Sequence, residues 1–413
     1  MLIRFRSKAG LAIIIYILIS YRFFNIVSLP VDNSVLSYGL WMLSVVLYVY
    51  FIYGVNRIKA KYKFIRCYFT YILLAQVLVC IYSMIKYNES ILDMYLCAGA
   101  YLTLLLTYII LLSFEKDGFK YLLDAIYWIV FVNIILVLVH SFICNNVGVA
   151  LFHFTHLTSK TDNVRIALGP LTGVFVVYAF YNLLKRRRKS MIAALVVGVA
   201  GMFYSEMTRA NEVAICVTIF MIWLFERKKV GEKNLKYFIA FLMAVVFICS
   251  DYFNLILSYF SIDPDLNEAY LSTLARYNAI EYFSEFTKNN PLMGMGWVRP
   301  YTEELTRIWS GPTNNFFFDD LGFLGQFFRL GILGSLIYVI LVVRMVYVCY
   351  KIKDEHEQSS LLVGLTSYAV CTMVSLNMFD GSRILAVPIY IAITEYIYIS
   401  HRRGFNSVYD MEE

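Results

Sequence analysis

Charge is what this sequence has least of for its length. Of 413 residues only 16% are charged, against 60% hydrophobic, and the mean hydropathy is +0.65. A soluble fold of this size cannot hide so much apolar side chain, because its surface would carry the excess. Histidine is scarce too, at five residues. Only His153 and His156, in "HFTH", have a spacing that can share a metal on one helical face. Two histidines without a third ligand make a weak zinc site, and an interfacial amphipathic segment accounts for them more simply. The eight cysteines (Cys67, Cys80, Cys97, Cys144, Cys216, Cys249, Cys349, Cys371) lie in or beside apolar runs and form no CxxC pair. Neither a metal centre nor a disulfide framework is indicated. Internal repeats, low-complexity tracts and an appended soluble domain are also lacking. The N-terminus is basic and then apolar from about Leu11 to Leu29, without a small-residue cleavage pattern, so it reads as a retained first span.

What the sequence has is apolar runs of about 18 to 24 residues, the length that crosses a bilayer as helix. They fall at about 10–29, 35–55, 67–86, 92–113, 121–143, 167–184, 191–207, 210–225, 237–257, 321–350, 361–378 and 384–400. The expected fold is therefore all-α and polytopic, with about twelve transmembrane helices in a single integral membrane domain. An even number of spans puts both termini in the cytoplasm. The 34 Tyr and 32 Phe suit interfacial belts and helix packing. The net charge of +7 is explained by "MLIRFRSK", "NRIKAKYKFIR", "KRRRKS" and "ERKKVGEKNLK", which all fall on one side of that topology. Roughly 24 of the 36 Lys and Arg lie there, which the positive-inside rule makes cytoplasmic. Nothing in that pattern calls for nucleic acid; the bilayer is the partner it fits.

Two outward segments remain, a smaller one at 144–166 and a large one at 258–320, just before the tenth span. The larger holds four of the seven prolines, and a loop of that length without disordered composition is a functional candidate. Within it, "STLARYNAIEYFSEFTK" has helical spacing at Leu274, Tyr277, Ile280 and Phe283, with Ser272 as N-cap and Pro291 as stop. In "NNPLMGMGW", Gly294 and Gly296 either bring backbone close to something or simply turn the chain.

The residues able to carry chemistry are mostly arginines. Arg209, in "FYSEMTRANEVAICVTIF", sits between apolar runs, where a guanidinium is costly and functional by default. The competing account is an interfacial anchor paired with Glu206 or Glu212. Arg276, Arg299 and Arg307 follow on the outward side, and Arg329 lies inside the next apolar run. Guanidiniums converging from loop and membrane would suit a diphosphate, since each is a planar donor that keeps its charge. Asp319 and Asp320 open a span, where N-terminal capping is the ordinary account. A general base acting on a sugar hydroxyl is the functional one, and a metal-binding pair lacks further ligands. Asp380 and Arg383, in "NMFDGSR", read as an ordinary turn. Asp93, Asp124 and Glu395 fall near span ends, where a solvated charge needs no special role.

Taken in order, "YSEMTRA", "ARYNAIEYFSEFTKNNPLMGMG" and "TNNFFFDDLGFLGQFFRLGILG" resemble the O-antigen ligase and Wzy-type polysaccharide polymerase superfamily. The match covers roughly residues 200–340, and elsewhere only hydropathy agrees. It implies a plasma-membrane enzyme of the capsule, O-antigen or exopolysaccharide type. Such an enzyme transfers one undecaprenyl-diphosphate-linked oligosaccharide onto another at the outer face, by inverting displacement, with no cofactor and no metal. Arg209 and Arg276 take the positions of the family's arginines. Ligases of this group often carry a histidine before the "lGllG" span. Here Asn314 and Asn315 stand in that region, which moves the base to Asp320 and favours polymerase over ligase. Arg299, Arg307, Arg329, Asn314, Asn315 and Asp319 are then the expected substrate contacts. A chain-length regulator and a flippase are the protein partners implied. A ligase, a flippase or transporter of lipid-linked sugar, and a non-catalytic assembly scaffold remain the alternatives.

Overall fold

A computed structural model describes residues 7–25, 33–154, 156–157, 164–186, 189–206, 209–226, 267–352, 358–374 and 376–402. About 82% of this is helical. The helices are α1 (Lys8–Ser20), α2 (Asn33–Tyr50), α3 (Ile52–Lys61), α4 (Lys63–Tyr87), α5 (Ile91–Ala98), α6 (Leu106–Lys116), α7 (Phe119–Val147) and α8 (Thr172–Arg186). Then come α9 (Lys189–Gly201), extended by a π turn at Met202–Glu206, and α10 (Arg209–Phe225). The remainder are α11 (Asn267–Asn289), α12 (Glu303–Ser310), α13 (Gly322–Ile352), α14 (Ser359–Thr372) and α15 (Ala386–Arg402). A 3-10 segment, Gly99–Leu105, joins α5 to α6. The strands among the described residues are one two-residue antiparallel pair, His156–Leu157 with Arg165–Ile166.

Eleven of the twelve apolar runs coincide with helix, and the twelfth, 237–257, lies outside the described residues. Among the described residues, five helices are both long and apolar enough to cross a membrane: Lys8–Asn25, Lys63–Tyr87, Ile91–Lys116, Phe119–Val147 and Gly322–Ile352. A sixth is reached if α2 and α3, which meet at 82°, count as one broken span. The chain is thus a helical protein with several candidate membrane spans. The 35–55 run is two helices rather than one, broken at Phe51, whose φ of −95° and ψ of 17° interrupt the helix. Helix α11 begins by Asn267, so Ser272 lies inside it and is not its N-cap.

Helix α4 illustrates the burial. Ile65, Tyr68, Ile72, Ala75, Gln76, Val79 and Ser83 face the protein, while Leu73, Leu74, Val77, Leu78, Ile81 and Ile85 form an exposed apolar stripe. An open aliphatic stripe of this kind is unfavourable in water and natural against lipid tails. The centre of the bundle is α6, α8, α14 and α15; every residue from Leu106 to Phe114 is buried. Ion pairs at the basic end lock helix termini together. Glu115 meets Arg57 and Lys61, and Glu226 meets Lys185 at 3.2 Å and Ser360 at 2.8 Å.

Candidate functional site

Helix α13 is interrupted at Gly331, whose φ of 60° and ψ of −154° no helix can hold. The break frees backbone groups on either side of it, and the "NPLMGMG" loop takes them up. The Met295 and Gly296 N–H groups donate to the Phe328 and Arg329 carbonyls at 2.9 and 2.7 Å. The Ile332 and Leu333 N–H groups donate to the Pro291 and Leu292 carbonyls at 2.9 and 3.3 Å. Glycine is required on both segments, the loop and the broken helix. A Cβ on Gly294 would lie 2.6 Å from Gly331 N, and one on Gly331 would lie 2.4 Å from the Leu292 oxygen. Both accounts open for those loop glycines are observed: the chain turns at 291–295 with Gly294 and Gly296 at φ 63° and 89°, and Gly294 approaches the α13 backbone closely.

This crossing fixes two side chains. Trp297 is buried, its backbone N–H donating to Ser83 Oγ at 2.8 Å and its indole N–H to Gln76 Oε1 at 2.9 Å. The Arg329 guanidinium lies over its ring at 5.0 Å, over that of Trp309 at 4.3 Å and over Phe318 at 5.4 Å. Such cation–π contacts offset part of the cost of burying the charge. Asp319 faces this arginine, with Oδ1 and Nη1 3.6 Å apart.

The turn between α14 and α15 completes the cluster. The Asn377 N–H donates to the Asp319 carbonyl at 3.3 Å, and its side chain donates to Gln326, which in turn donates to Tyr101. The turn places Asp380 and Arg383, themselves 3.6 Å apart, next to Asp319. Arg383 also acts on Glu206, whose carbonyl accepts from Arg165 Nε and Nη2 at 3.3 and 3.0 Å and whose carboxylate accepts from Asn211 at 2.7 Å. Three guanidiniums (Arg165, Arg329, Arg383) and three carboxylates (Glu206, Asp319, Asp380) therefore meet at one end of the bundle. Asp319 Oδ1, Arg329 Nε and Arg383 Nη1 are buried without a hydrogen-bond partner. Buried polar atoms are almost always satisfied by protein or water, so a cluster whose two ion pairs stand at 3.6 Å is a candidate place for water or a ligand to complete. Desolvation lifts the Asp319 carboxyl above the ordinary carboxylate range; Arg329 opposes the shift and Asp380 adds to it. A carboxylate raised in this way suits proton transfer near neutral pH.

The expected site residues divide. Arg329 and Asp319 are brought together. Asp320 is half-buried beside them, with its backbone N–H on the Phe317 carbonyl at 3.3 Å. Arg276 is exposed on α11 and makes no ion pair among the described residues. Arg299 is engaged elsewhere, its guanidinium on Asp93 and its backbone N–H on Glu89. Arg307 forms an exposed pair with Glu303 one turn away. Asn314 sits at φ 56° and accepts from Ser310, while Asn315 is exposed. Arg209 opens α10 three residues after Glu206, and its side chain lies outside the described residues. Sequence reasoning passed over Asp380, Arg383, Arg165, Trp297 and Trp309. The legible signal was "DGSR", two opposite charges three residues apart between apolar runs. No group of three His, Cys, Asp or Glu among the described residues is placed to hold a metal. Comparison of the chain with protein-family models and with curated proteins gives no match.

Proposed function

We propose that this protein joins lipid-diphosphate-linked oligosaccharide repeat units at the outer face of a bacterial plasma membrane, as a polysaccharide polymerase. The proposal includes the twelve-span topology with cytoplasmic termini and undecaprenyl diphosphate as the carrier. The observation that carries it is the open cluster of Asp319, Arg329 and Arg383, which offers a base and cations within one site. The reaction needs both. Ionised Asp319 takes the proton of the acceptor hydroxyl as its oxygen attacks the anomeric carbon. The bond from that carbon to the diphosphate oxygen breaks, and the electron pair leaves with the lipid diphosphate. Guanidiniums stabilise the departing charge, so no protonated acid has to assist it. The aromatic residues around the cluster fit a sugar ligand, and the basic residues at the opposite end fit an outward-facing site. The sequence assigned the base to Asp320; the geometry favours its neighbour Asp319, which has the arginine and the open oxygen.

The test is reconstitution. Purified protein in liposomes, given a synthetic undecaprenyl-diphosphate-linked repeat unit of the host's own polymer, is expected to form a ladder on a gel. Asp319→Asn and Arg329→Gln should abolish it while the protein remains folded. Transfer of one block to a different acceptor would favour the ligase. Movement of intact lipid-linked sugar across the bilayer without transfer would replace polymerase with flippase.

A further inference from the structure

A chain of buried polar side chains runs around the Asp319–Arg329 pair without entering it. The Trp297 indole N–H donates to Gln76 Oε1 at 2.9 Å, and Gln76 acts in turn on the Tyr101 hydroxyl. Gln326 Nε2 donates to that hydroxyl at 2.6 Å, and Asn377 Nδ2 donates to Gln326 Oε1 at 3.0 Å. The chain thus begins at a ring stacked on Arg329 and ends at the residue whose N–H holds the Asp319 carbonyl. Gln76 comes from α4, Tyr101 from the segment before α6, Gln326 from α13 and Asn377 from the turn before α15. None of the four is more than 8% exposed. Three amides and a hydroxyl buried among apolar helices are unfavourable unless their partners are in place, so such a chain specifies one geometry.

Asn377 is its hub. The Asn377 N–H donates to the Asp319 carbonyl at 3.3 Å, and the Asn377 carbonyl accepts from the Asp380 N–H at 3.2 Å. Its Oδ1 accepts from the Phe379 N–H at 3.0 Å. One residue therefore fixes the backbone of both acids in the cluster. On the other side of Asp319, the Phe318 carbonyl lies so close to α13 that a Cβ on Gly325 would stand 1.9 Å from its oxygen. Asp319 is held on both sides, and Trp297 and Trp309 hold the plane of Arg329. The two stay 3.6 Å apart, as do Asp380 and Arg383.

We infer that Gln326 and Asn377 are positioning residues, which hold Asp319 and Asp380 off Arg329 and Arg383 so that neither acid closes into an ion pair. Their role in transfer rests on the polymerase reading; the geometry they impose does not. They act only through where they place the acids.

Two variants cut the chain. Gln326→Leu removes both of its side-chain bonds, and Tyr101→Phe removes one hydroxyl while keeping the ring against Trp297 and Phe379. Tyr101→Phe keeps the question answerable if Gln326→Leu does not fold. In transfer from the synthetic undecaprenyl-diphosphate-linked repeat unit, each is expected to lower kcat roughly tenfold and to leave KM within about twofold. A raised KM at unchanged kcat overturns the inference, since it makes the altered residue a substrate contact. The second readout needs no activity. The melting midpoint of each chain, less that of the same chain carrying Asp319→Asn, isolates the acid, on which Arg329, Asp380 and Arg383 act. In the wild type that difference falls as pH climbs above the ordinary ~3.9, because the folded-state pKa is raised. With the chain cut, Asp319 closes on Arg329, its pKa drops and the fall shrinks. An unaltered fall overturns the inference and leaves the polymerase standing. Absence of transfer by the wild type overturns the polymerase reading, and the melting difference still decides the geometry.

Discussion

Replacing Gly331 with alanine tests whether the crossing of loop and broken helix holds the site in place. The position lies in a region that essentially only glycine visits, and an L-residue there costs roughly 1–3 kcal/mol. The added methyl would stand 2.4 Å from the Leu292 oxygen and 2.6 Å from Gly294 N, both backbone atoms that cannot rotate aside. The loop must therefore withdraw, which strains the four hydrogen bonds it makes to α13. Loss of two of them, at about 1 kcal/mol each, brings the total to roughly 3–5 kcal/mol. Gly148→Ala is the matched control. Its φ is 73°, also left-handed, but nothing lies within 4 Å of the new Cβ, so only about 1 kcal/mol of backbone strain is expected. Thermal unfolding of the two purified variants in the same detergent should give a small loss for Gly148→Ala and a much larger one for Gly331→Ala. Equal midpoints would refute the reasoning, because the close approach would then contribute nothing beyond the φ angle.

Three further outcomes follow from the charges. Arg344 and Glu395 form a bidentate pair at 2.6 and 3.1 Å, with Glu395 only 2% exposed. Arg344→Ala should therefore destabilise by about 3–5 kcal/mol, and Arg344→Met with Glu395→Leu should recover most of it in the same melting assay. Because the folded-state pKa of Asp319 is raised, the folded protein binds that proton more tightly than the unfolded chain does. Its contribution to stability is then greatest at low pH and falls as pH climbs from the ordinary ~3.9 through the raised value. The transfer rate should rise over that same interval, and an inflection at or below ~3.9 would remove Asp319 as the base. Arg299→Ala should lower thermal stability, since it removes the ion pair to Asp93 while keeping the backbone N–H that Glu89 accepts, whereas Arg307→Ala should shift the midpoint negligibly because its pair is exposed.

The helices were legible because a bilayer imposes a long apolar run on each crossing, and runs such as 121–143 and 321–350 have no other simple reading. The break at Gly331 was less so. "RLGILG" looks like continuous helix unless the partner loop is known, since glycine is tolerated in membrane helices. The "NPLMGMG" stretch did carry a signal, two glycines after a proline, but not the identity of what it approaches. The site was half visible. Arg329 and Asp319 stood out as charges at the edge of an apolar run. Asp380 and Arg383 did not, because a turn between two apolar runs is the least remarkable place for a charged pair. Only the packing of α14 and α15 against α13 brings that turn to Asp319, and no local pattern encodes such a contact. The aromatic cover was hidden for a related reason: in a chain with 34 Tyr and 32 Phe, two tryptophans in a loop carry little information.

Helix α13 contains its own control for the site, because it carries two arginines in similar company. Arg344 lies against Phe64, Tyr347 and Tyr398, and Arg329 against Trp297, Trp309 and Phe318. Each faces a carboxylate from another part of the chain or a neighbouring turn. At Arg344 the pair closes at hydrogen-bond length through two donors and both carboxylate oxygens, which is what packing alone demands of a buried charge. At Arg329 the gap stays at 3.6 Å, with a donor and an acceptor open. Were Arg329 only a staple, the same chain could close it as it closes Arg344, since Asp319 already stands beside it. The open pair gives up hydrogen bonds that the closed one makes. That difference, between two arginines of a single helix, is the physical reason the proposed site is drawn at the Asp319 end.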